Sequence, residues 1–166
     1  MGKLKHLCLD VDGVMTDGTF LYSENGKAYK RFGPDDSEAL NVLKRFVSVD
    51  FVSADFRGLE ISRARIERDM GFPLHLVTAS ERLAWISGRF PLDSVVYLGD
   101  SFTDAQVLQS VGLGIAPANA SPFAKAASDY VTQSPGGGGA VAEACFYLAK
   151  IMAFNPPEFS FSTVGY

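Results

Sequence analysis

Cysteine is scarce in this sequence, with two among 166 residues. Cys8 and Cys145 lie far apart in apolar segments, and neither has the spacing of a metal-binding motif. A disulfide framework is therefore not indicated, and we interpret both as small core residues. Free cysteines are typical of proteins in a reducing compartment, so we expect a cytoplasmic location.

Long apolar runs and clusters of positive charge are also missing. No segment approaches the roughly 20 apolar residues that a helix needs to cross a bilayer. The positive patch of Lys3, Lys5 and His6 runs directly into an apolar strand, without the apolar stretch and cleavage site of a signal peptide. The net charge is −4, whereas binding to nucleic acid or to a membrane surface needs clustered Lys and Arg. We therefore expect neither kind of partner.

The sequence does contain a regular alternation of short apolar runs and longer segments with helical spacing. This pattern predicts an α/β fold, a parallel sheet covered by helices on both faces. Residues 1–153 are predicted to form one domain, with a β-hairpin at residues 19–32, where Asn25-Gly26 is a strong turn signal. Residues 154–166 form a tail with two prolines and four aromatic residues. It is either a frayed terminus or an arm that docks on a neighbouring subunit.

Two pairs of aspartates stand directly after predicted strands. Asp10 and Asp12 follow the first strand, and Asp100 and Asp104 follow the strand at residues 94–98. Ligands of parallel sheets bind at the carboxyl ends of the strands, and carboxylates gathered there repel one another unless a cation lies among them. Oxygen ligands of this kind suit Mg²⁺, which often also binds a phosphate of the substrate. The pattern therefore predicts a magnesium site.

The spacing of the first pair suits a two-step phosphoryl transfer. In an extended segment residues i and i+2 share a face, so Asp10 and Asp12 can reach the same substrate. One carboxylate could attack phosphorus to form an aspartyl phosphate, and the other could protonate the leaving oxygen and then activate water. The alternative is that the aspartates only cap turns or helices. Two pairs in this order, each after an apolar strand, favour catalysis.

These motifs resemble those of a known family. Residues 10–18 (DVDGVMTDG) and 99–104 (GDSFTD) resemble the first and fourth motifs of the haloacid dehalogenase-like phosphatases. The hairpin after the first motif resembles their capless branch, and so do the segments at residues 116–122, 127–132 and 136–141. The resemblance implies a Rossmann-like three-layer sandwich with a central parallel sheet, a hairpin after the first strand and no cap domain.

The resemblance also implies roles for the matching residues. Asp10 would be the nucleophile and a metal ligand, and Asp12 would be the acid/base whose backbone carbonyl also binds Mg²⁺. Asp100 would be the third protein ligand of the metal, and Asp104 would support the metal site from just outside. Ser53 matches the second-motif residue that binds the phosphoryl group.

The sequence departs from the family pattern in two places. The third motif usually supplies a lysine, and here Arg82 stands at that position; arginine can bind phosphate through two hydrogen bonds, but with a different geometry. The alternative is that Arg82 is a solvated helix-surface residue, with Lys125 as the fallback cation. After Ser53, the Gly-Arg that is usual in the branch is replaced by a segment beginning Ala54-Asp55. This second change lies around the leaving group, so it bears on the identity of the substrate more than on the reaction.

The implied function is a phosphomonoesterase for a small sugar-acid phosphate, such as 3-deoxy-D-manno-octulosonate 8-phosphate or a nonulosonate 9-phosphate. The resemblance further implies a homotetramer built around the hairpin, in which a neighbour helps to close each site. A receiver-type signalling domain is disfavoured because its phosphorylated Asp follows the third strand, where this sequence has Thr78-Ala79. A degenerate family member, retained as a binding or scaffold subunit, is the remaining alternative.

Overall fold

The computed structural model describes residues 4–153. The strands are β1 (His6–Asp10), β2 (Leu21–Ser23), β3 (Gly26–Tyr29), β4 (Ser48–Ser53), β5 (Leu74–Leu76), β6 (Val95–Leu98), β7 (Leu113–Ala116) and β8 (Tyr130–Val131). The helices are α1 (Asp35–Leu43), α2 (Leu59–Arg63), α3 (Arg82–Ser87), α4 (Ala105–Ser110), α5 (Pro122–Ala127) and α6 (Ala140–Ile151). A π-helical turn (Ala64–Asp69) continues α2, and short 3₁₀ turns occur at Phe56–Gly58, Leu92–Ser94 and Phe102–Asp104.

Six strands form one parallel sheet in the order β5-β4-β1-β6-β7-β8. Alternate residues of its central strand enter two separate core clusters: Leu7 and Leu9 pack in one, and Cys8 packs in the other. Residues of α1 and α6 belong to the first cluster, and residues of α3, α4 and α5 belong to the second. Helices therefore cover both faces, and the predicted three-layer α/β sandwich is confirmed.

The position of β1 brings the functional motifs to one edge of the sheet. It pairs with β4 on one side and with β6 on the other, so the chain order reverses across it. The register places Asp10 beside Val52 and Leu9 beside Leu98. The segments that follow β1, β4 and β6 therefore leave the sheet side by side, at the kind of crevice where parallel sheets bind ligands.

The predicted hairpin is present, but its strands are shorter than expected. β2 and β3 are antiparallel and span only residues 21–29, with a separate single bridge between Thr16 and Phe32 at the base. Residues 19–20 and 30–32 are therefore outside the hairpin strands, which corrects the predicted extent. A register shift interrupts the ladder between Leu21 and Tyr22, and the side chain of Lys30, directly after β3, makes ion pairs described below.

Other features of the described chain bear on the sequence predictions. Within residues 4–153 no helix has the length and apolar character needed to cross a membrane. Cys8 and Cys145 are buried free thiols, in agreement with the interpretation that both are core residues. The tail at residues 154–166 lies outside the described residues, so the domain boundary at 153 and the docking arm stay predictions.

Candidate active site

A pocket of about 390 Å³ lies at the carboxyl edge of the sheet. It brings together four of the predicted site residues, Asp10, Asp12, Arg82 and Asp100. The other lining residues are Gly18, Phe20, Lys27, Ala54, Asp55, Ala79, Ser101 and Thr103. A larger hollow of about 800 Å³ lies between α1, the glycine run and α6, but its lining includes none of the predicted site residues. Chemistry, rather than size, therefore identifies the smaller pocket as the candidate site.

The first motif folds into a tight turn directly after β1. The backbone amides of residues 14–16 all donate to the carbonyl of Val11. Thr16 Oγ1 accepts hydrogen bonds from the amides of Gly13 and Gly18, at 3.1 and 3.2 Å. Glycine 13 has a φ of +90°, which disfavours other residues, and a Cβ atom there would collide with the Asp100 carboxylate. Gly13 therefore allows the first and fourth motifs to approach each other.

The glycine run at residues 136–139 contacts the turn of the first motif, directly and through Asn119. Asn119 donates to the carbonyl of Gly13 at 3.1 Å and accepts from the amide of Gly136 at 2.6 Å. The amide of Gly137 donates to the carbonyl of Val14 at 3.1 Å. The run packs on the first motif through backbone contacts that a side chain on Gly136 would obstruct.

Asp104 is fully buried and accepts four hydrogen bonds. Its Oδ2 accepts from the amide and hydroxyl of Ser101, at 3.0 and 2.7 Å. Its Oδ1 accepts from Tyr97 Oη at 2.6 Å and from Arg82 Nη1 at 2.5 Å. These bonds fix the loop that carries Asp100 and saturate the carboxylate, which suits a supporting role beside a metal site.

The acidic groups of the site are crowded. Oxygen atoms of Asp10, Asp100 and Asp104 lie within 4.8 Å of one another. Burial raises the pKa of Asp10 to about 8; the neighbouring Asp104 and Asp100 carboxylates also raise this pKa, and Arg82 opposes the shift. Burial and the Asp104 charge raise the pKa of Asp100 to about 6. Buried carboxylates that repel one another in this way fit a divalent cation bound among them, and an all-oxygen set suits a hard ion.

Arg82 stands at the start of α3 and is only 3% exposed. Its Nη2 lies 3.3 Å from Asp10 Oδ1, while its Nη1 donates to Tyr97 Oη at 2.8 Å and to Asp104. Its Nε is buried and has no hydrogen-bond partner among the residues that the structure describes. The alternative that Arg82 is a solvated surface residue is therefore wrong. Lys125, the fallback cation, is not among the residues that line the pocket.

The structure does not bring Ser53 into the pocket lining. The residue is fully buried at the end of β4, and its Oγ accepts a hydrogen bond from the amide of Asp55 at 3.1 Å. Asp12 does line the pocket, close to the hairpin.

Sequence reasoning missed a set of charges at the hairpin side of the pocket. Lys27 Nζ lies 2.6 Å from Asp55 Oδ1, and Lys30 Nζ lies 2.8 Å from Asp55 Oδ2 and 2.8 Å from Asp12 Oδ1. Although burial opposes the shift, hydrogen bonds from both lysines lower the pKa of Asp55. The one signal in the sequence was that Asp55 belongs to the segment that replaces the Gly-Arg usual in the capless branch. Nothing in the pattern distinguished Lys27 and Lys30 from hairpin lysines that are exposed to solvent.

Comparison with known proteins identifies the family. A family model described as haloacid dehalogenase-like hydrolase matches residues 79–144. A 3-deoxy-D-manno-octulosonate 8-phosphate phosphatase of Salmonella typhi is 31% identical over 151 residues, which cover 88% of this chain and 79% of that protein. The chain belongs to the haloacid dehalogenase-like hydrolases. The predicted enzyme class, a hydrolase of phosphoric monoesters, is thereby confirmed.

Solved structures of haloacid dehalogenase-like proteins share the fold. A 3-deoxy-D-manno-octulosonate 8-phosphate phosphatase of Moraxella catarrhalis, in complex with magnesium, phosphate and KDO, superposes with a TM-score of 0.76 at 26% identity. That match covers 90% of this chain and 87% of the other. The cobalt-bound phosphatase of Haemophilus influenzae gives a TM-score of 0.81 at 25% identity, covering 98% and 96% of the two chains. The magnesium and the cobalt bound in these two neighbours agree with the aspartate cluster described above.

Proposed function

We propose that this haloacid dehalogenase-like hydrolase is a Mg²⁺-dependent phosphomonoesterase that acts through an aspartyl phosphate on Asp10. The observation that carries the proposal is the convergence of Asp10, Asp12 and Asp100 in one pocket with a buried arginine 3.3 Å from Asp10. A carboxylate nucleophile, a second carboxylate for proton transfer and a fixed cation are the groups that phosphoryl transfer needs.

The chain's own residues supply each step. A carboxylate oxygen of Asp10 attacks phosphorus, and the bond from phosphorus to the leaving oxygen breaks while Asp12 gives that oxygen its proton. Asp12 then takes a proton from water, the resulting hydroxide attacks phosphorus, and phosphate leaves as the Asp10 carboxylate is restored. Arg82 balances phosphoryl charge through its Nη2 and its Nε, which has no hydrogen-bond partner within residues 4–153. Ser53 is the proposed hydroxyl donor.

The residues present fit a divalent ion. Asp10, Asp100 and the backbone carbonyl of Asp12 are the proposed ligands, with Asp104 supporting them from outside. When bound, Mg²⁺ would neutralise these carboxylates and screen the phosphate from the anionic nucleophile.

The proposed substrate is a small sugar-acid phosphate, such as 3-deoxy-D-manno-octulosonate 8-phosphate or a nonulosonate 9-phosphate. One observation supports this choice: relatives named as 3-deoxy-D-manno-octulosonate 8-phosphate phosphatases match most of the chain. Hydrolysis of a panel of sugar, sugar-acid and nucleotide phosphates with Mg²⁺ tests the proposal. We expect the two sugar-acid esters to lead in kcat/KM. Equal and feeble hydrolysis of the whole panel would contradict it.

A degenerate binding or scaffold subunit is the second candidate, because an arginine replaces the usual third-motif lysine. Beryllium fluoride, which mimics a phosphoryl group on aspartate, separates the two candidates. With Mg²⁺, it should raise the Tm of the wild-type protein by several degrees, because a ligand bound only to the folded state stabilises it. An Asp10→Asn variant should show no such rise. Absence of the rise in the wild type would favour the degenerate candidate.

We also propose a homotetramer with the hairpin at its centre and a cytoplasmic location. The hairpin exposes Leu21, Tyr22 and Tyr29 at 59%, 62% and 67%, and adjacent apolar groups of this size favour burial against another subunit. Sedimentation should give a tetramer for the wild type and smaller species for a Tyr22→Lys/Tyr29→Lys double variant. A stable and active wild-type monomer would refute the tetramer. The two buried, free cysteines suit the reducing cytoplasm.

A further inference from the structure

The hairpin sends a fully buried lysine into the site. The side chain of Lys30 is 0% exposed, and its Nζ donates to Asp12 Oδ2 at 2.9 Å and to Ser62 Oγ at 2.8 Å. The same Nζ lies 2.8 Å from Asp12 Oδ1 and 2.8 Å from Asp55 Oδ2. The lysine thus joins the hairpin, the segment after β4 and the proposed acid/base.

The space for this cluster is built into the backbone. A Cβ atom on Gly58 would collide with the Asp55 carboxylate and would lie 2.7 Å from Lys30 Cε and 2.8 Å from Lys27 Cδ. Asp55 also accepts a hydrogen bond from the amide of Gly58 at 3.1 Å. The turn at Phe56–Gly58 therefore holds Asp55 in place while leaving room for both lysines.

The Lys30 ammonium group has more oxygen neighbours than N–H donors. An ammonium group has three N–H bonds, but four oxygen atoms lie within 2.9 Å of this nitrogen. Two of these oxygen atoms, Asp55 Oδ2 and Ser62 Oγ, hold the ammonium group from outside Asp12.

We propose that Lys30 is a positioning residue for Asp12, which orients this carboxyl group toward the leaving-group oxygen. The inference rests on the proposed function, because it requires Asp12 to be the acid/base. In the first step, the O–H bond of protonated Asp12 breaks as a new O–H bond forms on the leaving oxygen. Lys30 takes no proton; it fixes where the Asp12 oxygen atoms lie.

Lys27 provides a matched control on the same hairpin. Its side chain is 6% exposed, its Nζ lies 2.6 Å from Asp55 Oδ1, and the ammonium sits 3.4 Å from the centre of the Phe20 ring. Both lysines are thus buried partners of Asp55, but among the described contacts only Lys30 reaches Asp12. Lys27→Met and Lys30→Met remove similar buried charges and differ in their relation to the acid/base.

The experiment compares two leaving groups in the full-length protein with Mg²⁺. One substrate is p-nitrophenyl phosphate, whose phenolate leaves without a proton; the other is the alkyl ester that the panel shows to be hydrolysed fastest. The measured quantity is kcat/KM, which reports steps up to formation of the phosphorylated Asp10. We expect Lys30→Met to lower kcat/KM for the alkyl ester about 100-fold and for the aryl ester less than about 5-fold. Lys27→Met should lower both by the same factor.

Each outcome bears on the inference. Equal losses on the two substrates in Lys30→Met, or the same alkyl-to-aryl ratio in both variants, would overturn it. If Lys30→Met does not fold, Lys30→Arg is measured instead: it keeps the charge with a different donor geometry, and a ratio equal to that of the wild type would also overturn the inference. A wild type that hydrolyses neither substrate with Mg²⁺ would instead contradict the proposed function.

Discussion

Replacement of Asp10 by asparagine is expected to lower Mg²⁺-dependent turnover by roughly 10⁴-fold or more, as loss of a nucleophile does in other enzymes. The amide has nearly the shape of the carboxylate, but it cannot displace the leaving group to form an aspartyl phosphate. The Tm without Mg²⁺ should not fall, because burial already opposes ionisation of this group and raises its pKa to about 8. Steady-state kinetics and a thermal melt check both expectations.

Asp17→Asn is the matched control for this change. Asp17 belongs to the same loop, but its side chain is 33% exposed and its Oδ1 accepts from the amide and hydroxyl of Thr19, at 2.9 and 2.6 Å. The same chemical change there should leave kcat within about 3-fold of the wild type, since surface substitutions are usually mild. Full Mg²⁺-dependent activity in Asp10→Asn would contradict a mechanism in which Asp10 is the nucleophile.

The second large effect is expected at Arg82. Arg82→Met should lower kcat by about 10²- to 10³-fold, because it removes the cation beside the nucleophile. It should also lower the free energy of unfolding by about 3–5 kcal/mol, since removing Arg82 leaves the buried Asp104 carboxylate without its ion-pair partner. Kinetics and urea unfolding measure the two effects.

Two milder variants separate charge from geometry at this position. Arg82→Lys keeps the charge but cannot contact Asp10 while donating to both Tyr97 and Asp104, so we expect an intermediate kcat. Tyr97→Phe removes only the hydroxyl between Arg82 and Asp104 and should lower the free energy of unfolding by about 1–2 kcal/mol. Wild-type kcat in Arg82→Met would remove this arginine from the mechanism.

The fold and part of the site could be predicted from the sequence, because both depend on local patterns. Apolar strands that end in Asp10 and Asp100 predict a parallel sheet, and parallel sheets gather such ends at one edge. The remaining site groups depend on contacts between distant residues. Arg82 meets Asp104 across 22 positions, and Lys30 meets Asp12 across 18. A side chain's burial at such a contact follows from the packed structure, and no periodicity encodes it.

The limits of pattern reasoning are clearest for Tyr97. A tyrosine within the apolar strand β6 reads as core, and the residue is indeed fully buried. Its hydroxyl contributes to the site because it accepts a hydrogen bond from Arg82 and donates one to Asp104. The position of Ser53 was likewise not evident from the motif match: the residue lies at the buried end of β4, where its Oγ accepts from the amide of Asp55.

Residues of the hairpin and of the segment after it contribute both to the exposed surface and to the candidate site. The hairpin strands expose Tyr22 and Tyr29, and in the segment after the second strand Lys30 Nζ lies 2.8 Å from Asp12 Oδ1. Displacement of the hairpin would therefore shift the Lys30 ammonium relative to Asp12. If subunits meet at this hairpin, association and turnover are thermodynamically linked, so specific activity would fall on dilution without any change in the pocket's composition.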